Sequence, residues 1–403
     1  MRESQLAEDV KAFPKIILVF LAVDWPVFSR RPMVQALAKV VKEYGSTVVA
    51  VNRPLCPLST LVRKPMRFGE MFSAAEIKDI GENLRLFSPK YFIHDQIAQQ
   101  VGMLERLNVA ALRYSYRYLA AKLGISEKAP LVWYYDPQQG YVTRLFPDSF
   151  CVYEIYDSLN DIWGRPRPRA DALEVKWRSQ VDLLLTTSQK LFDRYSPYYG
   201  NAFPFGNGLD RDAFNKFCDE KVKPHPDIVR IPGPRIGYAG NISERLDWGL
   251  IKGMARLRPE WSFVFVGGIN CEESFSEVRQ FRNIHFAGAY PQERVPSVVK
   301  GFDVGILPYL NNPFFDCLNP LKFYENAAAG IGSVSSPIEE LNHFPIAVVR
   351  TVPNEPQRWV ETVADFLSSE RSQTREVGRE VASQFIWEDM TAALMRRMQQ
   401  LLP

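Results

Sequence analysis

A pattern of short apolar runs spaced by longer helical segments begins twice in this chain, and that repetition limits its fold more than any other feature. Runs at 15–23, 47–52, 84–87, 131–135, 150–155 and 182–187 are rich in Val, Ile, Leu and Phe and too short to be helices. Segments of helical period, including 31–44 and 104–123, lie between them. Runs that are apolar on both faces, separated by helices, are the mark of a buried parallel sheet. A second series starts after Phe205, with runs at 235–239, 262–266, 284–287, 304–307, 332–335 and 347–349. Helical segments at 247–257, 294–300, 321–329 and 356–368 alternate with them. The prediction is an α/β chain of two Rossmann-like domains with parallel sheets, facing each other across an interdomain cleft. The domains are expected at 1–205 and 206–375, with 376–403 a C-terminal helix packing back on the first. The Pro-, Gly- and charge-rich stretch 203–234 reads as linker and entry loop.

Bulk properties agree with two domains, because 403 residues exceed one ordinary core. The formal net charge of +3 is too small to argue for nucleic acid as a partner. Charge is unevenly spread: Lys and Arg number 27 against 21 Asp and Glu over 1–205, and 22 against 25 over the rest. The five cysteines are scattered without a CxxC pair, which reads as reduced thiols in a cytosolic protein. The four histidines form no HxxxH pair, so no metal site is expected. The apolar run 16–23 is too short to span a bilayer and lacks signal-peptide flanks. The chain is expected in the cytoplasm, or touching the inner face of the cell membrane.

The stretch Asn319-Pro320-Leu321-Lys322-Phe323-Tyr324-Glu325, closed by Ala328-Ala329-Gly330, follows a candidate strand. Pro near the first helical turn and Gly after the last define a strand–loop–helix unit. Backbone N–H groups at such a helix start suit an anionic group such as a diphosphate. Lys322 in the first turn opposes the helix dipole and therefore asks for an anionic partner. Glu325, one turn on, is placed to accept two ribose hydroxyls. The plainer reading is an amphipathic helix with solvated charges.

Preceded by Ile306-Leu307-Pro308-Tyr309, this stretch resembles the donor-site signature of the GT-B glycosyltransferases. It looks most like the bacterial group that builds capsules, exopolysaccharides and wall polymers. Gly237-Tyr238-Ala239-Gly240-Asn241-Ile242 is similar to that family's glycine-containing donor loop, and Gly206-Asn207-Gly208-Leu209-Asp210 to its interdomain turn. The resemblance covers roughly 181–335. It implies a nucleoside diphosphate sugar, UDP-linked, held by Gly240, Asn241, Tyr309 and the segment Asn319, Pro320, Leu321, Lys322 and Glu325. Gly240 and Asn241 would approach the phosphates, Lys322 would neutralise them and Glu325 would bind the ribose. Tyr309 would lie near the base or the diphosphate. Arg245 is either a further phosphate contact or a solvated residue at a helix start. Retaining members carry a second Glu where this chain has Cys317, which puts a retaining mechanism in doubt. No cofactor beyond the donor is implied.

The candidate base lies in the first domain, where Val152-Tyr153-Glu154-Ile155 runs into the polar loop 156–163. An inverting transfer needs one carboxylate within reach of the acceptor hydroxyl. Resemblance to the Asp-bearing loop of bacterial glucuronosyltransferases points to Asp157, with Asp161 as its rival; both could instead cap a following helix. Asp24 and Trp25 after the first strand, and Asp136 after Trp133-Tyr134-Tyr135, are candidates for the acceptor side. Asp210-Arg211-Asp212 matches a metal-binding DxD but falls in the interdomain turn and is discounted. Neither a GxxxxGK nor a GxGxxG after the first strand is present, which argues against ATP and NAD. The segment with Arg106, Arg113, Arg117 and Lys122 interleaved with Tyr114, Tyr116 and Tyr118 is basic and aromatic. Arg63, Lys64 and Arg67 lie upstream near Met66, Phe68 and Met71. Together they suit a peripheral membrane contact and a lipid-linked glycan acceptor, or simply a solvated helix face. Two other functions remain open at this point: an inactive scaffold binding nucleotide sugar or glycan, and a sugar-nucleotide epimerase of the same architecture.

Overall fold

The computed structural model describes residues 13–54, 76–89, 102–124, 129–270 and 275–403. Cys56, His94, Cys271 and the basic cluster 63–67 lie outside the described residues. The first sheet is built from β1 (Ile16–Phe20), β2 (Thr47–Val51), β3 (Glu76–Gly81), β4 (Leu84–Ser88), β5 (Leu131–Tyr134), β6 (Cys151–Ile155), β7 (Leu183–Thr186) and β8 (Ala202–Pro204). Their order is β3-β4-β2-β1-β5-β6-β7-β8, and only the β3–β4 pair is antiparallel. All five residues of β1 are buried, and they alternate between two cores as a strand requires. Ile17 and Val19 pack with Met33, Leu37 and Met395 on one face. Ile16, Leu18 and Phe20 pack with Leu112, Tyr116 and Trp177 on the other.

Two strands in this sheet were not anticipated. β3 is mostly solvent-facing and carries Glu76, Lys78 and Asp79, so it lacks an apolar run; charges on an edge strand discourage further pairing. β8 has three residues and ends in Pro204, which confines it to the opposite edge.

The second sheet holds β9 (Arg235–Ala239), β10 (Ser262–Val266), β11 (Ile284–Phe286), β12 (Val304–Leu307), β13 (Ser333–Ser335) and β14 (Val349–Thr351). Its order β11-β10-β9-β12-β13-β14, all parallel, is the doubly wound dinucleotide-fold arrangement. One continuous core serves this domain, from Phe263 and Phe265 on the sheet to fully buried Trp359 in the helix Pro356–Ser368.

The stretch 203–234 is more ordered than a linker: it takes in the end of β8 and the helices Arg211–Cys218 and Pro226–Val229. The last segment forms two helices, Arg371–Ser383 and Trp387–Leu401. The first packs on the helix Leu321–Ala329 so tightly that a Cβ on Gly378 would lie 2.6 Å from the Ala327 carbonyl oxygen. The second returns to the first domain, where Trp387, Leu394, Met395 and Met398 join its core. Among the described residues, no helix is long and apolar enough to cross a membrane.

Candidate active site

Strand order reverses between β9 and β12, so the switch-point crevice of the second sheet opens beyond their C-terminal ends. Gly240 and Asn241 follow β9, and Tyr309 follows β12. The β9 loop is pinned in place. Gly240 N donates to the Val266 carbonyl (2.8 Å), Tyr238 Oη donates to the Asn241 carbonyl (3.2 Å), and Asn270 Nδ2 donates to Asn241 Oδ1 (2.8 Å). Gly267, with φ +146°, passes so close that a Cβ there would sit 1.8 Å from the Gly240 carbonyl oxygen. Only glycine fits that backbone crossing. A Cβ on Gly240 would itself lie 2.7 Å from Tyr238 Oη and 3.2 Å from Lys322 Cε, so loop and helix start touch here.

Lys322 stands in the first turn of the helix Leu321–Ala329, which Pro320 caps and left-handed Gly330 (φ +74°) ends. The first N–H groups of such a helix have no partner within it and face the crevice end of the sheet. Lys322 Nζ lies 3.0 and 3.2 Å from the two carboxylate oxygens of Glu325, which is 2 % exposed. Gly240, Lys322 and Glu325 therefore converge on one spot. Tyr309 does not open into it. Its ring is buried, stacked on Phe315 (5.7 Å, 13°) and edge-on to Tyr238. Its carbonyl accepts from Ser336 Oγ (2.7 Å) and Asn354 Nδ2 (2.9 Å), so the residue ties the loop after β12 to those after β13 and β14.

The first sheet presents its strand ends to the second domain. A cavity of about 360 Å³ is lined by Tyr135, Asp136, Tyr156, Asp157 and Asp161 from the first domain, and by Arg245 and Phe314 from the second. Asp157 is half-buried at the end of β6. Burial pushes its carboxyl up to about 6, against the opposing pull of the Arg245 and Arg30 charges. Arg245 is exposed, with its guanidinium 5.6 Å from the Phe314 ring centroid. It thus stands in the cavity beside Asp157.

The neighbouring carboxylates have other commitments. Asp161 Oδ1 accepts from Trp163 N and Arg165 N (both 2.9 Å), and Oδ2 accepts from Arg165 Nε (2.7 Å). Partial burial would raise its carboxyl, but those hydrogen bonds outweigh it and hold the group below its usual range. Asp136 caps the short helix Pro137–Gln139 and pairs with Arg53 at 2.6 Å. Trp25 packs partly into the first core, and its backbone N–H donates to Asn52 Oδ1 (2.9 Å); Asp24 is half-buried beside it. Asp210 caps the helix Arg211–Cys218 and Arg211 pairs with Asp389, which accounts for the DxD match structurally.

Asn207 and Asn319 meet at the domain boundary: Asn207 Nδ2 donates to the Asn319 carbonyl (2.5 Å), and Asn319 Nδ2 to the Thr187 carbonyl (2.8 Å). The Asn319 amide nitrogen is thereby committed to the interface, while its Oδ1 is buried without a hydrogen-bond partner among the described residues. Gly208 lies against Phe385, where a Cβ would come within 2.5 Å of its carbonyl oxygen. Leu209 N donates to that carbonyl and Trp387 N to the Leu209 carbonyl, so the two chain crossings between domains run paired. Cys317 is buried in the first-domain core although it belongs to the second, and its carbonyl accepts from Ser188 Oγ (2.8 Å). Sequence reasoning missed Arg30. This buried side chain pairs with Glu154 and donates to Asn207 Oδ1 (2.7 Å) and the Gly206 carbonyl (3.2 Å). It also stacks over Trp387 at 4.7 Å. Its partners are 124 or more positions away, so no local pattern announces it.

No family model matches the chain. A Bacillus subtilis (strain 168) protein, provisionally named teichuronic acid biosynthesis glycosyltransferase TuaH, is 32% identical over 127 residues. That match spans 31% of this chain and 31% of that protein. Solved structures agree over nearly the whole length. An α,α-trehalose-phosphate synthase (UDP-forming) from Burkholderia vietnamiensis superposes with a TM-score of 0.62 at 14% identity, over 96% of this chain and 100% of that one. Anabaena Alr3699/HepE in complex with UDP-glucose gives 0.61 at 14%, over 95% and 99%. The catalytic domain of starch synthase IV from Arabidopsis thaliana, bound to ADP and acarbose, gives 0.61 at 11%, over 96% and 99%. The chain has the two-domain GT-B fold of the glycosyltransferases.

Proposed function

We propose that this protein is a glycosyltransferase that moves a sugar from a nucleoside diphosphate sugar, UDP-linked, to a hydroxyl of a bacterial glycan, with no cofactor beyond the donor. The observation that carries the reading is the convergence of Gly240, Lys322 and Glu325 beyond β9, where Gly240 shares its loop with Arg245, which lines a cavity with Asp157. The UDP-glucose held by Anabaena Alr3699/HepE and the name of the Bacillus subtilis relative are consistent with it.

Lys322, the free N–H groups of its helix and Arg245 supply positive charge where the leaving diphosphate gathers negative charge. Glu325 accepts ribose hydroxyls. Asp157 takes the proton of the acceptor hydroxyl as that oxygen attacks the anomeric carbon. The bond from that carbon to the phosphate oxygen breaks, and the nucleoside diphosphate leaves. A carboxylate pushed up to about 6 is a stronger base than an ordinary one and stays largely ionised near neutral pH. Cys317, at the position where retaining relatives carry Glu, is buried against Ser188 and offers no carboxylate to the sugar. That supports an inverting outcome.

The acceptor is a lipid-linked glycan at the inner face of the cell membrane. Arg106, Arg113 and Arg117 share the solvent-facing side of the helix Gly102–Leu123 with exposed Met103, Leu107 and Tyr114. Cations beside apolar side chains suit an anionic lipid surface.

Nucleotide release from a panel of UDP-sugars, with and without extracted lipid-linked glycan, tests the whole reading. Release that depends on acceptor supports transfer. A protein that binds UDP and turns over no donor is a scaffold, and isomerised donor without acceptor marks an epimerase.

A further inference from the structure

A second polar cavity lies away from the cleft, at the opposite end of the helix Leu321–Ala329. It encloses about 300 Å³ between the starts of β12 and β13 and the helix Arg371–Ser383. Ala329 and Gly330 line it, whereas Lys322 sits at the other end of that nine-residue helix, roughly 10 Å along its axis. One small ligand does not reach both places.

Five cations line this cavity, Lys223, Lys300, Arg371, Arg375 and Arg379, against two carboxylates, Glu220 and Asp303. Asp303 is taken by Arg371 at 2.7 Å. Glu220 is 71% exposed and reaches Arg375 and Arg379 only at 3.6 and 3.7 Å. Three formal positive charges are left over. Three of the cations also serve the protein: Arg379 Nη2 donates to the Cys218 carbonyl (2.8 Å), Lys300 Nζ to the Asp219 and Val222 carbonyls, and Lys223 Nζ to the Glu220 carbonyl (3.4 Å). Those bonds hold the side chains in place without neutralising them. Burial, and to a lesser degree the charge of Arg379, hold the Lys300 amine below its usual range. Arg379 Nε is buried and has no hydrogen-bond partner among the described residues. A buried N–H of a charged group left unpaired costs more than a neutral one.

We propose that this cavity is a binding site for a small, multiply charged phosphate-bearing anion, distinct from the donor cleft. Lys223 and Arg375 are its exposed rim, and Lys300 and Arg379 its fixed floor. The excess charge makes the site selective for charge density, and guanidinium forks match phosphate oxygens in pairs. Binding would weaken as salt rises, because the rim is solvent-exposed.

Inorganic pyrophosphate is the probe. Calorimetric titration would be run on the wild type, on Lys223→Gln/Arg375→Gln, and on Lys322→Ala, with thermal melts to verify folding. Expected is binding that survives Lys322→Ala and weakens roughly tenfold or more in the rim variant, since each lost charge-assisted hydrogen bond is worth about that factor. Binding abolished by Lys322→Ala but kept by the rim variant would assign the anion to the cleft and overturn the proposal. Lack of any binding would overturn it equally. Should the rim variant melt early, pyrophosphate soaked into wild-type crystals decides: density between Lys223 and Arg375 supports the site, and density confined to the Gly240–Lys322 crevice refutes it.

Discussion

Lys322 Nζ lies 3.0 Å from Glu325 Oε2, one helical turn away, and the carboxylate of that pair is almost fully buried while the amine is partly exposed. Under the proposed function, this asymmetry gives the two residues different fates when a diphosphate arrives. The amine would turn toward the phosphates, and Glu325 would then need new donors, which ribose hydroxyls would supply. The pair therefore holds the crevice in order without ligand, and binding exchanges one set of partners for another.

Lys322→Ala should weaken UDP binding roughly tenfold or more, and it should also cost about 1–2 kcal/mol of stability, because Glu325 is left without its cation. Lys322→Ala/Glu325→Gln should recover the stability but not the affinity. Paired titrations and urea melts separate the two effects. UDP affinity unchanged in the single variant would remove Lys322 from the donor site.

Asp157→Asn should retain donor affinity and lower turnover by about 10²–10⁴-fold, the usual contribution of a general base. Asp161→Asn should leave turnover within severalfold, since that carboxylate is engaged with Arg165 and the turn backbone. If the two results are reversed, Asp161 is the base.

Rate against pH should show an acid limb near 6, falling tenfold per unit below it as Asp157 takes up its proton. Removing the Arg245 charge, as in Arg245→Leu, should move this limb upward, because that cation lowers the Asp157 value. Stability runs the other way. A carboxyl raised from 3.8 to about 6 binds protons more readily folded than unfolded, so its ionisation opposes folding above 6. Asp157→Asn should therefore raise the Tm at pH 7, and the gain should shrink as pH falls from 6 toward 4. An acid limb near 4, or a lower Tm at pH 7, would contradict the assignment.

Arg30→Ala should destabilise the protein by about 3–5 kcal/mol, since Glu154 is fully buried and loses its ion pair. Arg30→Met/Glu154→Gln should regain most of that loss. The double variant would still lack the hydrogen bonds from Arg30 to Gly206 and Asn207, which tether the crossing between domains. Urea melts read the first effect, and hydrogen exchange at 205–209 reads the second. Equal protection in wild type and double variant would show that Arg30 does not hold the crossing.

Much of the fold is legible in the chain because its signals are local. The run Ile16–Phe20 is apolar at every position and becomes a central strand, and the helix Leu321–Ala329 starts after Pro320 and stops at Gly330. β3 was hidden because an edge strand needs no buried face, and β8 because three residues show no period. The helical period of 374–402 is real, but the chain breaks at 384–386, where Phe385 and Ile386 pair with Leu209. Nothing local marks that break, since its cause lies far away in sequence.

The candidate site divides in the same way. By itself the sequence determined the two series of buried strands, the glycines at the end of β9 and the cation in the first turn of one helix, because each follows from neighbours a few positions apart. Only the tertiary structure decided which carboxylate stands half-buried beside Arg245 and which is tied into a turn. Only it turned the Tyr309 ring inward and gave the Asn319 side chain to Thr187. Burial and charge at a point are sums over residues from distant segments, and those sums exist only once the chain has packed.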